Sequence, residues 1–154
     1  MLRFVQAKTE KHLEAIGELF TEYVHSLGFE LDFQDYENEF AELPGEYAPP
    51  DGRLILAIVD GDAVGCIGLR KIDDTICEMK RMYVRPDFRG KGIGRSLAEI
   101  VIEEARKIGY KAMRLDTIDT MNEATFLYRS LGFKEIAPYR HNPMDGAMFM
   151  ELNL

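Results

Sequence analysis

Tryptophan is absent from this chain of 154 residues, and only two cysteines and three histidines occur. Two cysteines, Cys66 and Cys77, cannot supply the dense disulfide framework of a small secreted domain. A two-residue hairpin turn at Asp73-Asp74 would set Cys77 opposite Arg70 rather than Cys66. Two reduced thiols buried in strands are therefore expected, in a reducing compartment. Neither thiol has a His or Asn nearby in sequence to activate it as a nucleophile. His12, His25 and His141 lack the spacing of metal ligands, so no metal site is expected. His12 and His25 fall on a helix face open to solvent, and His141 falls in a loop. No apolar run is long enough to span a bilayer, and the N-terminus lacks a signal-type apolar stretch. The expectation is a cytoplasmic protein with no membrane partner.

Positive charge is also in short supply. Nineteen Lys and Arg stand against 27 Asp and Glu, for a formal net charge of -8. That balance argues against general nucleic-acid binding, which needs clustered cations to neutralise phosphates. The cations are unevenly spread, however: Lys80, Arg81, Arg85, Arg89, Lys91 and Arg95 fall in one short stretch, where an anionic ligand fits. With 46% hydrophobic and 30% charged residues, the chain is globular, and its length suits a single domain over 1–154.

Apolar periodicity outlines the elements. Residues 2–7 are β-compatible. Leu13, Ile16, Phe20, Tyr23, Val24 and Leu27 recur at helical spacing, with Thr9 as cap and Gly28 as stop. Phe33, Tyr36, Phe40 and Leu43 mark a shorter amphipathic helix that Pro44-Gly45 ends. Residues 44–52, with three prolines and two glycines, form a loop. Strands over 53–59, 63–72 and 75–84 make an antiparallel meander. A long helix starts near Gly94, carries Leu97, Ile100, Val101, Ala105 and Ile108 on its apolar stripe, and stops at Gly109. A strand over 112–116, a helix over 122–131 closed by Gly132, and strands over 133–136 and 148–152 complete a mixed α/β domain.

Between the meander and the long helix lies Arg89-Gly90-Lys91-Gly92-Ile93-Gly94. Its glycines permit positive φ and close approach of a ligand to the backbone. The following helix points its free N–H groups and positive dipole end at the loop, which makes an anion site suited to a pyrophosphate. Arg89, Lys91 and Arg95 add charge-assisted bonds. A Walker loop would need Lys-Ser or Lys-Thr after the glycines, and a dinucleotide fingerprint would follow the first strand of a βαβ unit; neither holds here. A glycine-rich turn that only packs helix on sheet is the simpler alternative, and the flanking elements and cations weigh against it.

The run Met82-Tyr83-Val84-Arg85-Pro86-Asp87-Phe88-Arg89-Gly90-Lys91-Gly92-Ile93-Gly94 resembles the acyl-CoA motif of the GNAT superfamily of N-acetyltransferases. Asn122-Glu123-Ala124-Thr125-Phe126-Leu127-Tyr128-Arg129-Ser130-Leu131-Gly132-Phe133 resembles that family's second signature, and the element order matches over essentially the whole chain. The resemblance implies a mostly antiparallel, twisted sheet of six to seven strands, split in a V and flanked by about four helices. Met82, Tyr83 and Val84 would line the pantetheine arm of acetyl-CoA, with the backbone of Met82 and Val84 bonding it. The amides of Arg89, Gly90, Lys91, Gly92, Ile93, Gly94 and Arg95 would hold the pyrophosphate.

The implied reaction is direct attack of a primary amine on the thioester. An alkyl amine of pKa about 10.4 must lose a proton, and a thiolate of pKa about 8.5 leaves more easily with an acid beside it. Glu78, read as sharing side-chain parity with Met82 and Val84, is the candidate base; the alternative is a cross-strand partner for a neighbouring Arg or Lys. Tyr128, on the family's tyrosine position, is the candidate acid; the alternative is a packed helix tyrosine. Asn122 bonds the pantetheine, caps its helix, or does both, since its backbone and side chain point differently.

For the acceptor, Glu22, Tyr23, Glu30, Asp32, Tyr36, Tyr47 and Tyr139 supply acids and phenols able to hold a cation, or else form a solvated face. Loops 44–52 and 138–146 read as walls that close the site around a small-molecule amine rather than a peptide. Acetylation of a protein or peptide, and acyl-CoA binding without chemistry, are the competing readings. The resemblance also allows a homodimer, for which the strand over 148–152 offers an unpaired edge.

Overall fold

The computed structural model describes residues 1–26, 38–118, 122–140, 142 and 146–154. Leu27, Gly28, Glu30, Asp32, Phe33, Tyr36 and His141 lie outside the described residues. Seven strands form one sheet: β1 (Leu2–Gln6), β2 (Arg53–Val59), β3 (Asp62–Lys71), β4 (Ile76–Val84), β5 (Ala112–Ile118), β6 (Lys134–Ile136) and β7 (Ala147–Asn153). The helices are α1 (Glu10–Ser26), α2 (Ile93–Ile108) and α3 (Asn122–Ser130), with a further helical turn at 38–41. Sheet order is β1-β2-β3-β4-β5-β7-β6, and β4 with β5 is the parallel pair among antiparallel ones. This is the mostly antiparallel mixed sheet that the GNAT resemblance implies.

Local chemistry accounts for the element ends. Thr9 Oγ1 accepts from the His12 N–H at 3.1 Å and caps α1. Asp60 and Gly61, at φ 50° and 88°, make the tight turn between β2 and β3. Between β3 and β4 the turn is longer than two residues. Asp73 Oδ1 accepts from the backbone N–H groups of Thr75 and Ile76 at 2.8 and 2.9 Å, and the strand starts at Ile76. The register moves by one as a result: Cys77 faces Lys71, and Arg70 faces Glu78. The expected pairing of Cys77 with Arg70 is thereby corrected. Both thiols are free and buried, with Cys66 opposite Tyr83.

Two cores flank the sheet. Ile93, Leu97, Val101 and Ala105 of α2 pack with Cys77, Met79, Met113 and Tyr128 on one side. Ile16, Leu19 and Phe20 of α1 pack with Tyr47, Leu56, Cys66 and Tyr83 on the other. Loop 44–52 belongs to this second core: Tyr47 is 1% exposed, and its ring fills the space where a Cβ on Gly68 would lie, 2.7 Å away.

A bulge in β4 resets which side chains share a face. Cys66 pairs with Tyr83 but Gly68 pairs with Lys80, so Arg81 and Met82 together oppose one residue of β3. Arg81 takes φ 58° there, and Glu39 holds its guanidinium at 3.0 and 3.3 Å. Cys77 and Met79 face the α2 core before the bulge, and Met82 and Val84 face it afterwards. Glu78 therefore lies on the opposite face from Met82 and Val84, which corrects the expectation of shared parity.

The C-terminal strand is not an edge. β7 pairs with β5 along seven residues and with β6 over Phe149 to Glu151 on its other side, so it is an inner strand of the sheet. The edges are β1 and β6. Among the described residues, no helix is long and apolar enough to cross a membrane.

Candidate active site

The parallel pairing of β4 with β5 covers three residue pairs, Ile76 to Ala112, Cys77 to Met113 and Glu78 to Arg114. Beyond them the strands diverge, and the β4 edge from Met79 to Val84 is left open toward β5. A cleft of about 1140 Å³ occupies the gap, between Met79 to Val84 on one side and Leu115 to Ile118 on the other. The diverging pair is the V that the GNAT resemblance implies.

At the wide end of the cleft stands the glycine loop. Gly90 and Gly92 take φ 78° and 81°, the left-handed region that suits glycine, and Gly92 is the residue from which α2 starts. The first N–H groups of α2, at Ile93, Gly94 and Arg95, have no carbonyl partner within the helix. Together with the helix dipole they form a cradle for an anion. A Cβ on Gly94 would lie 3.8 to 4.0 Å from the side chains of Val84, Leu127 and Met82, which is ordinary contact distance. Arg89 donates to the Val84 carbonyl at 2.8 Å and lies over the Tyr83 ring, Lys91 lies over Phe88, and Arg95 donates to Ser130 at 3.0 Å. Met82, Tyr83, Val84, Arg89, Gly90, Gly92, Ile93, Gly94, Arg95 and Asn122 all line this one cleft. Lys91 stands beside it, on the exposed outer side of the loop.

At the narrow end the cleft meets Tyr128, Lys80 and Asp116. Tyr128 comes from α3, is 7% exposed and packs edge-on against Phe133. Burial, with Tyr23 and Asp116 close by, raises its phenol well above the ordinary value, so the hydroxyl keeps its proton. Lys80 Nζ on β4 lies 3.6 Å from Asp116 Oδ1 on β5, just past the last paired residues. Burial pushes the Lys80 ammonium down to about 8, against the pull of Asp116 and Glu78. Burial works to raise Asp116, but Lys80 and Arg140 outweigh it and hold its carboxyl below the usual range.

Glu78 sits beneath this end and is 0% exposed. Its carboxylate accepts from Arg70 at 2.8 Å, from the Tyr139 hydroxyl at 2.6 Å and from Arg140 at 2.5 and 3.2 Å. Arg140 also reaches Asp116 at 2.9 Å, and Asn142 reaches the other Asp116 oxygen at 3.1 Å. The geometry of Glu78 is that of the cross-strand charge partner: both oxygens are occupied, and the side chain does not line the cleft.

Of the acids and phenols expected around the acceptor, Tyr23 lines the cleft. Glu22 is instead bound by Arg85 and Tyr83, Tyr47 is in the core, and Tyr139 is bonded to Glu78. Loop 44–52 packs on β3 and contributes no wall to the cleft, whereas Asn142 of the segment before β7 does. Sequence reasoning passes over Asp116, and takes Lys80 only as one of the clustered cations. Their signal is slight: a lone carboxylate in the apolar strand over 112–116, and a lysine two residues past Glu78. Among the described residues, no cluster of His, Cys, Asp and Glu is arranged to hold a metal.

Residues 13–133 match the model of the acetyltransferase (GNAT) family. The chain belongs to the GNAT family. It is 38% identical to an uncharacterized N-acetyltransferase of Schizosaccharomyces pombe, over 96% of this chain and 91% of that one. It is 34% identical to the N-acetylaspartate synthetase of Danio rerio, over 80% of this chain but 45% of that protein. Its fold is shared with the PaiA N-acetyltransferase of Thermoplasma acidophilum, solved in complex with coenzyme A, at a TM-score of 0.77 and 19% identity, over 100% and 99% of the two chains. The GNAT match spans both signatures, from α1 through the glycine loop and Tyr128 to Phe133.

Proposed function

We propose that this GNAT chain transfers the acetyl group of acetyl-CoA directly to the primary amine of a small molecule. The observation that carries the reading is the cleft itself, which runs from an anion cradle at the start of α2 to a buried phenol at the fork of β4 and β5. The donor's pyrophosphate binds at Gly90 to Arg95, and its pantetheine arm runs along the open β4 edge at Met82 to Val84. The thioester then lies near Tyr128. The amine nitrogen attacks the carbonyl carbon, the C–S bond breaks, and Tyr128 donates its proton to the leaving sulfur.

Glu78 serves this reaction as a positioning residue. Through Arg140 it fixes Asp116, and it holds the segment after β6 against the fork. A small acceptor is supported by the size of the cleft, slightly above the roughly 300–1,000 Å³ of a single ligand pocket, which leaves limited room beyond the donor. The resemblance to an N-acetylaspartate synthetase points the same way. Two free thiols support a reducing, cytoplasmic setting.

The test is acetyl-CoA consumption over a panel of amino acids, other small amines and peptides. Turnover confined to small amines supports the proposal. Turnover confined to peptides moves the acceptor class, and tight coenzyme A binding with no turnover makes the protein a binding module.

A further inference from the structure

A primary amine attacks in its neutral form, having left its first proton in solvent, and must shed a second as the C–N bond forms; Glu78 is 0% exposed and outside the cleft lining. The cleft next to Tyr128 holds two other titratable side chains, Lys80 and Asp116, one on each arm of the fork. Asp116 already accepts from Arg140 and Asn142 besides its contact with Lys80, so its oxygens are largely occupied. Lys80 lines the cleft, its Nζ 3.6 Å from Asp116 Oδ1, with a side chain 12% exposed and rooted on the strand along which the donor arm is proposed to run.

Resting on the function proposed above, we infer that Lys80 is the catalytic base: its neutral Nζ takes the proton from the attacking amine, and Asp116 stabilises the ammonium that results. As the N–C bond forms and the C–S bond breaks, one N–H proton passes to Lys80 and the Tyr128 proton passes to sulfur. Lys80 afterwards releases its proton to solvent through the cleft, and the phenolate recovers one.

The charged groups around Lys80 make it suited to the task. Asp116 faces it from β5, Arg140 from the segment after β6, and Glu78 and Arg81 flank it on β4. The two anions raise it and the two cations lower it, and burial, the largest influence, brings the group to about 8, where neutral and charged forms are both populated near neutral pH. A base below the amine's own value of about 10.4 still draws the proton from nitrogen once the C–N bond has begun to form and acidified it.

The test is kcat at saturating amine as a function of pH, for wild type, Lys80→Met and Lys80→Arg, with coenzyme A affinity measured alongside. The inference expects a wild-type limb that rises with pH around 8. Both variants should lose that limb and at least about 100-fold in kcat, while binding coenzyme A as wild type does. Retention of the limb in either variant overturns it. So does a wild-type kcat that is flat while the amine KM rises above pH 8, since that marks a cation holding an acceptor carboxylate. Nuclear magnetic resonance of the Lys80 ¹³Cε, assigned by its absence from Lys80→Met, gives a readout independent of turnover. A midpoint near 8 is expected, and one near 10.5 overturns the inference even if the enzyme is active. Absence of turnover on every amine and peptide instead overturns the proposed function, and the base with it.

Discussion

The Tyr139 hydroxyl donates to Glu78 Oε2 over 2.6 Å, joining residues 61 positions apart at the last point where β4 and β5 pair. Around that bond Arg70 and Arg140 converge on the same buried carboxylate. The network sits under the cleft, and Arg140 ties it to the site by its bond to Asp116.

Glu78→Gln should therefore act on stability first. It removes the carboxylate that two guanidinium groups share, leaving Arg70 with Glu46 and Arg140 with Asp116, and breaking a buried pair costs about 3–5 kcal/mol. Urea unfolding should show a loss near the lower end, because Gln keeps an acceptor oxygen. The wild-type pH limb of kcat should persist in whatever activity remains; its disappearance would return Glu78 to the role of base.

Tyr128→Phe keeps the ring that packs on Phe133 but removes the hydroxyl proposed to protonate the leaving sulfur. A fall of about 100-fold or more in kcat is expected, with little change in unfolding free energy. Full activity would reject the acid role.

Gly92→Ala puts a Cβ on a residue at φ 81°, where no neighbour obstructs it within 4 Å, so the cost is backbone strain alone. About 1–2 kcal/mol of strain should loosen the cradle and weaken coenzyme A binding by roughly tenfold in calorimetry. Unchanged affinity would mean that the loop is not the phosphate grip.

Gly68→Ala addresses packing far from the anion cradle. Its Cβ would meet the Tyr47 ring at 2.7 and 2.8 Å, and Tyr47 is fixed in the α1 core. Overpacking of this kind costs about 1–3 kcal/mol, visible as a lowered midpoint of urea unfolding.

Stability should also depend on pH through Lys80. Its folded value, about 8, lies below the ordinary 10.5, so between the two the unfolded chain binds more protons and stability rises with pH. The contribution of Lys80 is at its least favourable below about pH 8 and is relieved as pH climbs to 10.5, by about 3 kcal/mol. Comparison of wild type with Lys80→Met across that window isolates the effect, and parallel curves would show that Lys80 titrates normally.

Much of this arrangement is legible in the residues. Apolar stripes at Leu97, Val101 and Ala105 and the stops at Gly109 and Gly132 locate α2 and α3 because side-chain burial and left-handed caps leave marks in sequence. The glycine loop is readable for the same reason. The bulge is not: an arginine at φ 58° carries no mark, and one extra residue at Arg81 moves Glu78 to the face opposite Met82. Spatial order leaves little trace either, so β7 reads as an edge although β6 covers it. Lys80 and Asp116 meet through a pairing of distant strands, a contact that local spacing does not encode.

The short seam between β4 and β5 carries a last consequence. With three residue pairs joining them, the halves of the sheet are two ribbons stitched at one end, and the open edge from Met79 to Val84 is a vacant strand position. An extended ligand arm that hydrogen-bonds along this edge completes the ladder as a missing strand would. The donor then counts as a structural part of the fold, and at a hundredfold excess over its Kd it would raise unfolding free energy by about 2.7 kcal/mol.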